Sequence, residues 1–270
     1  MTLHRNQPLD WYLNAPHVTH SKLRTFDEGG PALYHARHVE KTLPREETDA
    51  LRFGTAFEAL FQRGGHGFEA ECQLIPAGHG NLGTVKAAKA AAAAKGKVPI
   101  SQDDYTTMLE MARSLRELPE IGKAEVCEQQ VTLVGESCGL TMQSRPDYVM
   151  LSDLHAYSVD LKTTKNLSDL LSGHGIVKLG YHTQAALVRR LMRQHGYDPE
   201  CYLLAVEKIP VYRSALIHLP SEMLDAGDRW IDLVASRIKH CMDTDQWARA
   251  MPGIVEIETP RWLRASEDAA

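Results

Sequence analysis

The chain has 270 residues, 43% of them hydrophobic and 24% charged, an ordinary globular composition long enough for one large domain or two small ones. A net charge of −5 argues against a protein that coats nucleic acid passively, while leaving room for acids gathered at a metal site and for local basic groups. No apolar run approaches the roughly 18 residues of a membrane span, and Met1-Thr-Leu-His-Arg-Asn-Gln-Pro has no signal-peptide core, so a cytoplasmic, membrane-free protein is expected.

In chain order, residues 17–37 read as a helix entry capped by Thr19 or Ser21, with Gly29-Gly30-Pro31 breaking the chain before a short second helix. Residues 51–61 carry apolar side chains at 53, 56, 57, 60 and 61, a buried-helix pattern with Glu58 either at its edge or facing a buried partner. Residues 64–83 are glycine-rich and expected to be loop around a short strand at 72–76. The alanine-lysine stretch 84–97 predicts a helix with one basic side. Ser101 caps a helix running to Leu118, with Asp104 in the capping-box position and a stripe of Tyr105, Met108, Leu109, Ala112 and Leu115.

From residue 124 the texture turns to strands, at 125–134, 140–142, 148–151 and 156–161. A helix is expected over 181–195, strands over 202–207 and 212–218, and a long helix over 221–242 before a tail through Trp247 and Trp262. Helices first, then a meander with one crossover helix, give an α/β fold with a mixed sheet. No repeat or linker interrupts it, so one domain is expected over 1–270: a mainly helical part at 1–123, the sheet and core at 124–220, and a C-terminal helix and tail at 221–270.

The five cysteines (Cys72, Cys127, Cys138, Cys201, Cys241) are odd in number, scattered and free of any C-x-x-C, which fits reduced thiols and argues against zinc or iron–sulfur. Two basic clusters stand out: Lys86, Lys89, Lys95 and Lys97, then Arg189, Arg190 and Arg193. Each reads first as the solvated side of a helix. Trp11, Trp247 and Trp262 read as packing groups rather than base-stacking platforms.

The most informative stretch is Ser144-Arg-Pro-Asp-Tyr-Val-Met followed by Tyr157-Ser-Val-Asp-Leu-Lys-Thr-Thr164. Side chains on a strand repeat every second residue, so Asp160 and Lys162 share a face. A turn through Ser152, Asp153 and His155 would bring Asp147 back beside them. An isolated D-x-K is more often a solvated strand face making cross-strand pairs. Here both acids sit in apolar, strand-forming surroundings, where burying them is costly without a cation or hydrogen bonds. Two acids can hold a hard divalent cation and a neighbouring lysine can orient water, chemistry suited to cutting a phosphodiester.

Taken in order, several further segments join these: Ser21-Lys-Leu, Phe53-Gly-Thr-Ala-Phe-Glu-Ala-Leu60, Ser101-Gln-Asp-Asp-Tyr, Gly139-Leu-Thr-Met-Gln-Ser-Arg-Pro-Asp147, Val159-Asp-Leu-Lys-Thr-Thr164 and Tyr181-His-Thr-Gln-Ala-Ala-Leu187. Together with the Trp247…Pro260-Arg-Trp262 tail, they resemble the PD-(D/E)XK nuclease superfamily over nearly the whole chain, specifically its RecE (exonuclease VIII) branch, related to RecB-type nuclease domains. The resemblance implies a restriction-endonuclease-like α/β core, a central mixed sheet flanked by helices, with a helical N-terminal part.

It further implies Asp147 and Asp160 as metal ligands, Lys162 as the catalytic lysine, the Leu161 carbonyl as a further ligand and Gln184 as the glutamine of Q-x-x-x-Y. Mg²⁺ is the implied cofactor, with Mn²⁺ as a substitute. Glu58 stands where the family often has the histidine of G-x-x-x-H, with Gly54 retained; a carboxylate suits Mg²⁺ as a hard donor. Val188 stands in place of the family tyrosine, for which Tyr181 is a candidate substitute. Glu128 matches a further acid of related nucleases, and Arg145 is placed either to pair with an acid or to touch a phosphate. The implied activity is 5′-to-3′ exonuclease action on double-stranded DNA ends, alongside a single-strand annealing protein in phage-type recombination and as a homo-oligomer. An endonuclease of the same fold, and an inactive DNA-binding or assembly subunit, are the alternatives.

Overall fold

The computed structural model describes residues 2–44, 48–76, 83–121, 127–152, 155–250 and 256–258. Strand β1 (Thr2–His4) and the short helix α1 (Leu9–Asn14) lead into α2 (His20–Tyr34). Thr19 caps α2 by accepting from the Lys22 N–H. Gly30, at φ 75°, interrupts the helix ahead of Pro31, which lacks an N–H to continue the ladder. The chain then widens into a π-helical turn at His35–Val39, where the Glu40 N–H donates to the His35 carbonyl.

Helix α3 (Asp49–Glu71) is capped by Thr48 and runs past the expected loop boundary, bending at Gly64 (φ 65°) and resuming to Glu71. Burial overrides the weak helix propensity of the glycines there: Phe68 is buried and meets the Tyr105 ring at 4.7 Å. Strand β2 (Cys72–Ile75), helix α4 (Gly83–Ala94) and strand β3 (Val98–Ser101) form a small parallel pair with its crossover helix. Helix α5 (Gln102–Arg116) begins at the expected capping box, where Ser101 Oγ accepts from the Asp104 N–H at 3.0 Å and donates to its carboxylate at 2.8 Å. Its inward stripe is Met108, Met111, Ala112 and Leu115; Leu109 is exposed, so Met111 takes the place expected for it.

The remaining strands are β4 (Glu128–Gln129), β5 (Thr132–Ser137), β6 (Leu140–Ser144), β7 (Tyr148–Met150) and β8 (Tyr157–Thr164). Short helices α6 (Leu167–Leu171) and α7 (His174–Lys178) lead to α8 (Tyr181–Gln194). Strands β9 (Glu200–Glu207) and β10 (Ser214–Leu219) and the long helix α9 (Ser221–Thr244) complete the fold. The expected turn residue Asp153 and the tail residue Trp262 lie outside the described residues, whereas Trp247 stacks on His35 and Tyr34 as a packing group.

The central sheet has five strands in the order β10-β9-β8-β7-β4. It is mixed: β8 and β9 run parallel from Tyr157↔Glu200 to Thr164↔Glu207, and the other neighbours are antiparallel. A parallel neighbour requires a crossover, supplied here by α6, α7 and α8. Tyr148, Val159, Leu204 and Val206 pack on one face against α3 and α5, with Phe57, Leu60, Met108 and Leu115. On the other face Cys201, Leu203 and Ala205 meet α6, α7, α8 and α9. A second sheet, β1-β5-β6, packs with α2, α8 and α9 around Leu133, Met142, Leu187 and Ile231.

The arginines expected as one basic cluster are largely neutralised by α9. Arg189, 1% exposed, pairs with Asp225 and Asp228, and Arg190 pairs with Asp228 and Asp232. Arg193 pairs with Asp198. Among the described residues no helix is long and apolar enough to cross a membrane, and the five cysteines are free thiols.

Candidate active site

Period-two alternation along β8 turns Val159 and Leu161 toward the α3 side of the sheet and Asp160 and Lys162 toward the other. There α8 crosses behind the strand, and Gln184 Nε2 donates to Asp160 Oδ1 at 3.2 Å. The Lys162 ammonium forms an ion pair with Asp160 Oδ2, both side chains being about one-sixth exposed. Tyr181, in the first turn of α8, lays its ring 4.9 Å from Lys162 Nζ, a cation–π contact that covers the lysine.

Asp147 arrives from the segment just before β7, fixed by Pro146 and by the antiparallel pairing Tyr148↔Val159. Its Oδ2 accepts from the Leu161 N–H at 2.6 Å. The residue keeps some accessible surface, but the protein around its carboxyl is dense enough for desolvation to dominate. Burial, then the charges of Asp160 and Glu58, hold Asp147 well above the usual carboxylate range. Glu58 reaches the cluster from α3, hydrogen-bonded to Asp147 and to Gln62 Nε2 at 3.3 Å; burial and the Asp160 charge raise it as well. Burial pulls the Lys162 ammonium down, but Asp160 and Asp147 more than offset this and leave it above the ordinary lysine value. The two carboxylates thus favour the charged form of Lys162.

A cavity of about 530 Å³ opens over this cluster, walled by Glu58, Leu161, Lys162, Tyr181, Gly54 and Lys208. Gly54 lies one helical turn before Glu58 on α3, and a Cβ built there meets nothing within 4 Å. A second cavity of about 580 Å³ shares the Arg24–Leu179–Tyr181 wall and continues past Gln184 and Arg145.

The structure thus brings together Glu58, Asp147, Asp160, Leu161, Lys162, Tyr181 and Gln184. Leu161 meets Asp147 through its N–H. Two expected residues are engaged elsewhere. Glu128, on the edge strand β4, is ion-paired with Arg5, which holds its carboxyl below the usual range; the strongest charges on Asp147 come from Asp160, Glu58 and Lys162. Among the described residues Arg145 forms no salt bridge: it donates to the Gln7 carbonyl at 3.0 Å and to the Gln130 side-chain oxygen. Val188 is buried in the core, so nothing polar replaces the tyrosine at that position. Sequence reasoning passed over Gln62, Phe53 and Lys208. The available signal for Lys208 was its place directly after a strand aligned with the one bearing Asp160.

Two carboxylates held above their usual range, Glu58 and Asp147, stand with Asp160 around one lysine, a cluster short of positive charge. Asp160 Oδ2 touches Lys162 without the geometry of a hydrogen bond. Among the described residues no three acidic, histidine or cysteine groups are drawn together as a ready-made ion cage. The donor chemistry nevertheless fits a hard divalent cation: carboxylate oxygens beside a cavity that Gly54 keeps open.

No curated protein matches the chain. A crystal structure from Eubacterium rectale, described as a "putative exonuclease", superposes with a TM-score of 0.65 at 16% identity, covering 91% of this chain and 88% of that one. This likeness establishes a common fold. Residues 19–257, which contain all of the clustered side chains, match the family described as a PDDEXK-like domain of unknown function (DUF3799). By that match, and by the mixed sheet carrying Asp160 and Lys162 on one strand, the chain belongs to this PDDEXK-like family.

Proposed function

We propose that the chain is a divalent-metal-dependent deoxyribonuclease, specifically an exonuclease acting at double-stranded DNA ends. The observation that carries this reading is the convergence of Glu58, Asp147 and Asp160 on Lys162 beneath an open cavity. Glu58, Asp147 and Asp160 would hold Mg²⁺, or Mn²⁺ in its place, with the Leu161 carbonyl as a further donor. When bound, the cation supplies Lewis-acid polarisation of the phosphate and lowers the pKa of water.

The remaining work falls to the protein itself. Lys162, ion-paired with Asp160, orients the attacking water and offsets negative charge as it develops on the phosphate. Gln184 fixes the rotamer of Asp160 through its 3.2 Å hydrogen bond. Tyr181 shields Lys162 from water on the α8 side. Gly54 leaves space for the strand being cut.

The reading extends, on the resemblance, to 5′-to-3′ polarity, a homo-oligomer, and work with a single-strand annealing protein in phage-type recombination within a bacterial cytoplasm. Digestion of 5′- and 3′-labelled linear duplex with Mg²⁺, Mn²⁺ or chelator tests it. Metal-dependent release of nucleotides from the 5′ end of linear DNA, with closed circles spared, is the expected result. Cutting of closed circles would point to an endonuclease, and no cleavage with either metal would defeat the enzymatic reading.

A further inference from the structure

The parallel strands β8 and β9 stay in register to their last pair, Thr164↔Glu207, and the next residue on each is a lysine. The Lys208 N–H donates to the Thr164 carbonyl at 2.8 Å, so alignment persists past the strand end and sets Lys165 beside Lys208. Ligands of open α/β sheets gather beyond the carboxyl ends of such strands. Lys208 lines the cavity that holds Glu58, Leu161 and Lys162.

These two cations differ from the other basic side chains around the site. Arg24 is committed to Glu28 and the Leu179 carbonyl, and Arg145 to Gln7 and Gln130. Among the described residues neither Lys165 nor Lys208 has a salt bridge. The Lys208 ammonium instead sits 4.2 Å from the centroid of the Phe53 ring, which positions it without cancelling its charge. The carboxylate within its field, Asp104, is occupied as the partner of the Ser101 hydroxyl at the cap of α5. Burial, then the Lys165 charge, weaken the Lys208 hold on its proton.

At about 3.3 Å per residue, Lys165 starts about 10 Å further along β8 than Lys162. Three residues apart on an extended chain, the two lysine side chains leave on opposite faces and do not converge on one phosphate. The step between them suits a neighbouring phosphate of the same strand. We propose that Lys165 and Lys208 form a clamp for a non-scissile phosphate of the DNA strand, setting its register over Lys162. This rests on the nuclease reading, and the two can be tested apart.

Affinity for a fluorescein-labelled linear duplex is measured in chelator across a KCl series, for the full chain and for Lys165→Gln, Lys208→Gln and Lys208→Arg. Each glutamine variant should flatten the slope of log affinity against log salt by roughly 1, and Lys208→Arg should keep it. In cleavage with metal, the glutamine variants should raise KM about tenfold with kcat nearly unchanged, as expected for lost ground-state binding. Wild-type slope and KM in both glutamine variants would overturn the clamp while leaving the nuclease intact. Binding with a flattened slope but no cleavage by the wild-type chain would keep the clamp and remove the nuclease. Neither binding nor cleavage by the wild type would overturn both.

Discussion

Gln184 on α8 and Asp160 on β8 are joined side chain to side chain across the crossover that links two parallel strands. The carboxylate is thereby held from behind by an amide and from the front by Lys162. Asp160 thus enters any reaction with its rotamer already chosen, which is the preorganisation that electrostatic catalysis requires.

Replacing Lys162 with alanine should reduce metal-dependent digestion of linear duplex by about 10²–10³-fold, the effect of removing one preorganised charge-stabilising group. Asp160→Asn should be at least as damaging, because it also removes a donor oxygen. Gln184→Ala should give a smaller loss with the fold intact, checked by circular dichroism and thermal melting alongside the rates.

Gly54 should separate stability from activity. It sits inside α3 with open space over its Cα, so Gly54→Ala should stabilise the chain by about 1 kcal/mol in urea unfolding, from helix propensity alone. Gly54→Leu would keep part of that gain but fill the cavity beside Glu58. It should lower kcat/KM by about 10²-fold, the scale of a misplaced substrate.

His20 should make the protein less stable in acid. Thr183 spends its hydroxyl proton on the Gly180 carbonyl, so the 2.7 Å contact with His20 Nε2 requires the imidazole N–H on that nitrogen. Burial, then the charges of Arg24, Lys162 and His182, press its pKa down to about 3. The unfolded chain, with an imidazole pKa of about 6.5, binds a proton that the folded chain refuses. The stabilisation is complete above about pH 6.5 and is lost progressively as pH falls toward 3. Melting temperatures at pH 7.5 and 5 should diverge more for wild type than for His20→Gln; equal divergence would refute the assignment.

Arg189 should be the costliest surface-helix arginine to lose. Its side chain is 1% exposed and faces two aspartates, of which Asp228 keeps Arg190 as a second partner. Arg189→Ala should cost about 3 kcal/mol in urea unfolding, the low end for breaking a buried pair. Arg193→Ala, on an exposed pair, should cost under about 1 kcal/mol.

What could be read from the sequence was mostly local. Alternation along residues 157–164 gave the shared face of Asp160 and Lys162, and the cap chemistry at Ser101 located the start of α5. The extension of α3 past Gly64 was not legible, because it depends on Phe68 burying against Tyr105 of a later helix. The engagement of Glu128 was hidden for a related reason: Arg5, on the segment after β1, is remote in sequence. The arginines of α8 looked like a basic face, since the aspartates that neutralise Arg189 and Arg190 lie on α9, remote in sequence. Long-range partners decide such cases, and periodicity carries no information about them.

The crossover between β8 and β9 divides the assembly of the site in time as well as in space. Asp160, Lys162 and Gln184 all come from one contiguous strand-helix-strand unit, whereas Asp147 and Glu58 are supplied from earlier in the chain. A chain that had folded only the unit from β8 to β9 would own the lysine–aspartate pair and Gln184 but neither Asp147 nor Glu58. Metal-dependent cleavage would then require α3 docked on the sheet, so activity regained on refolding would report that docking as well as the folding of the β8–β9 unit.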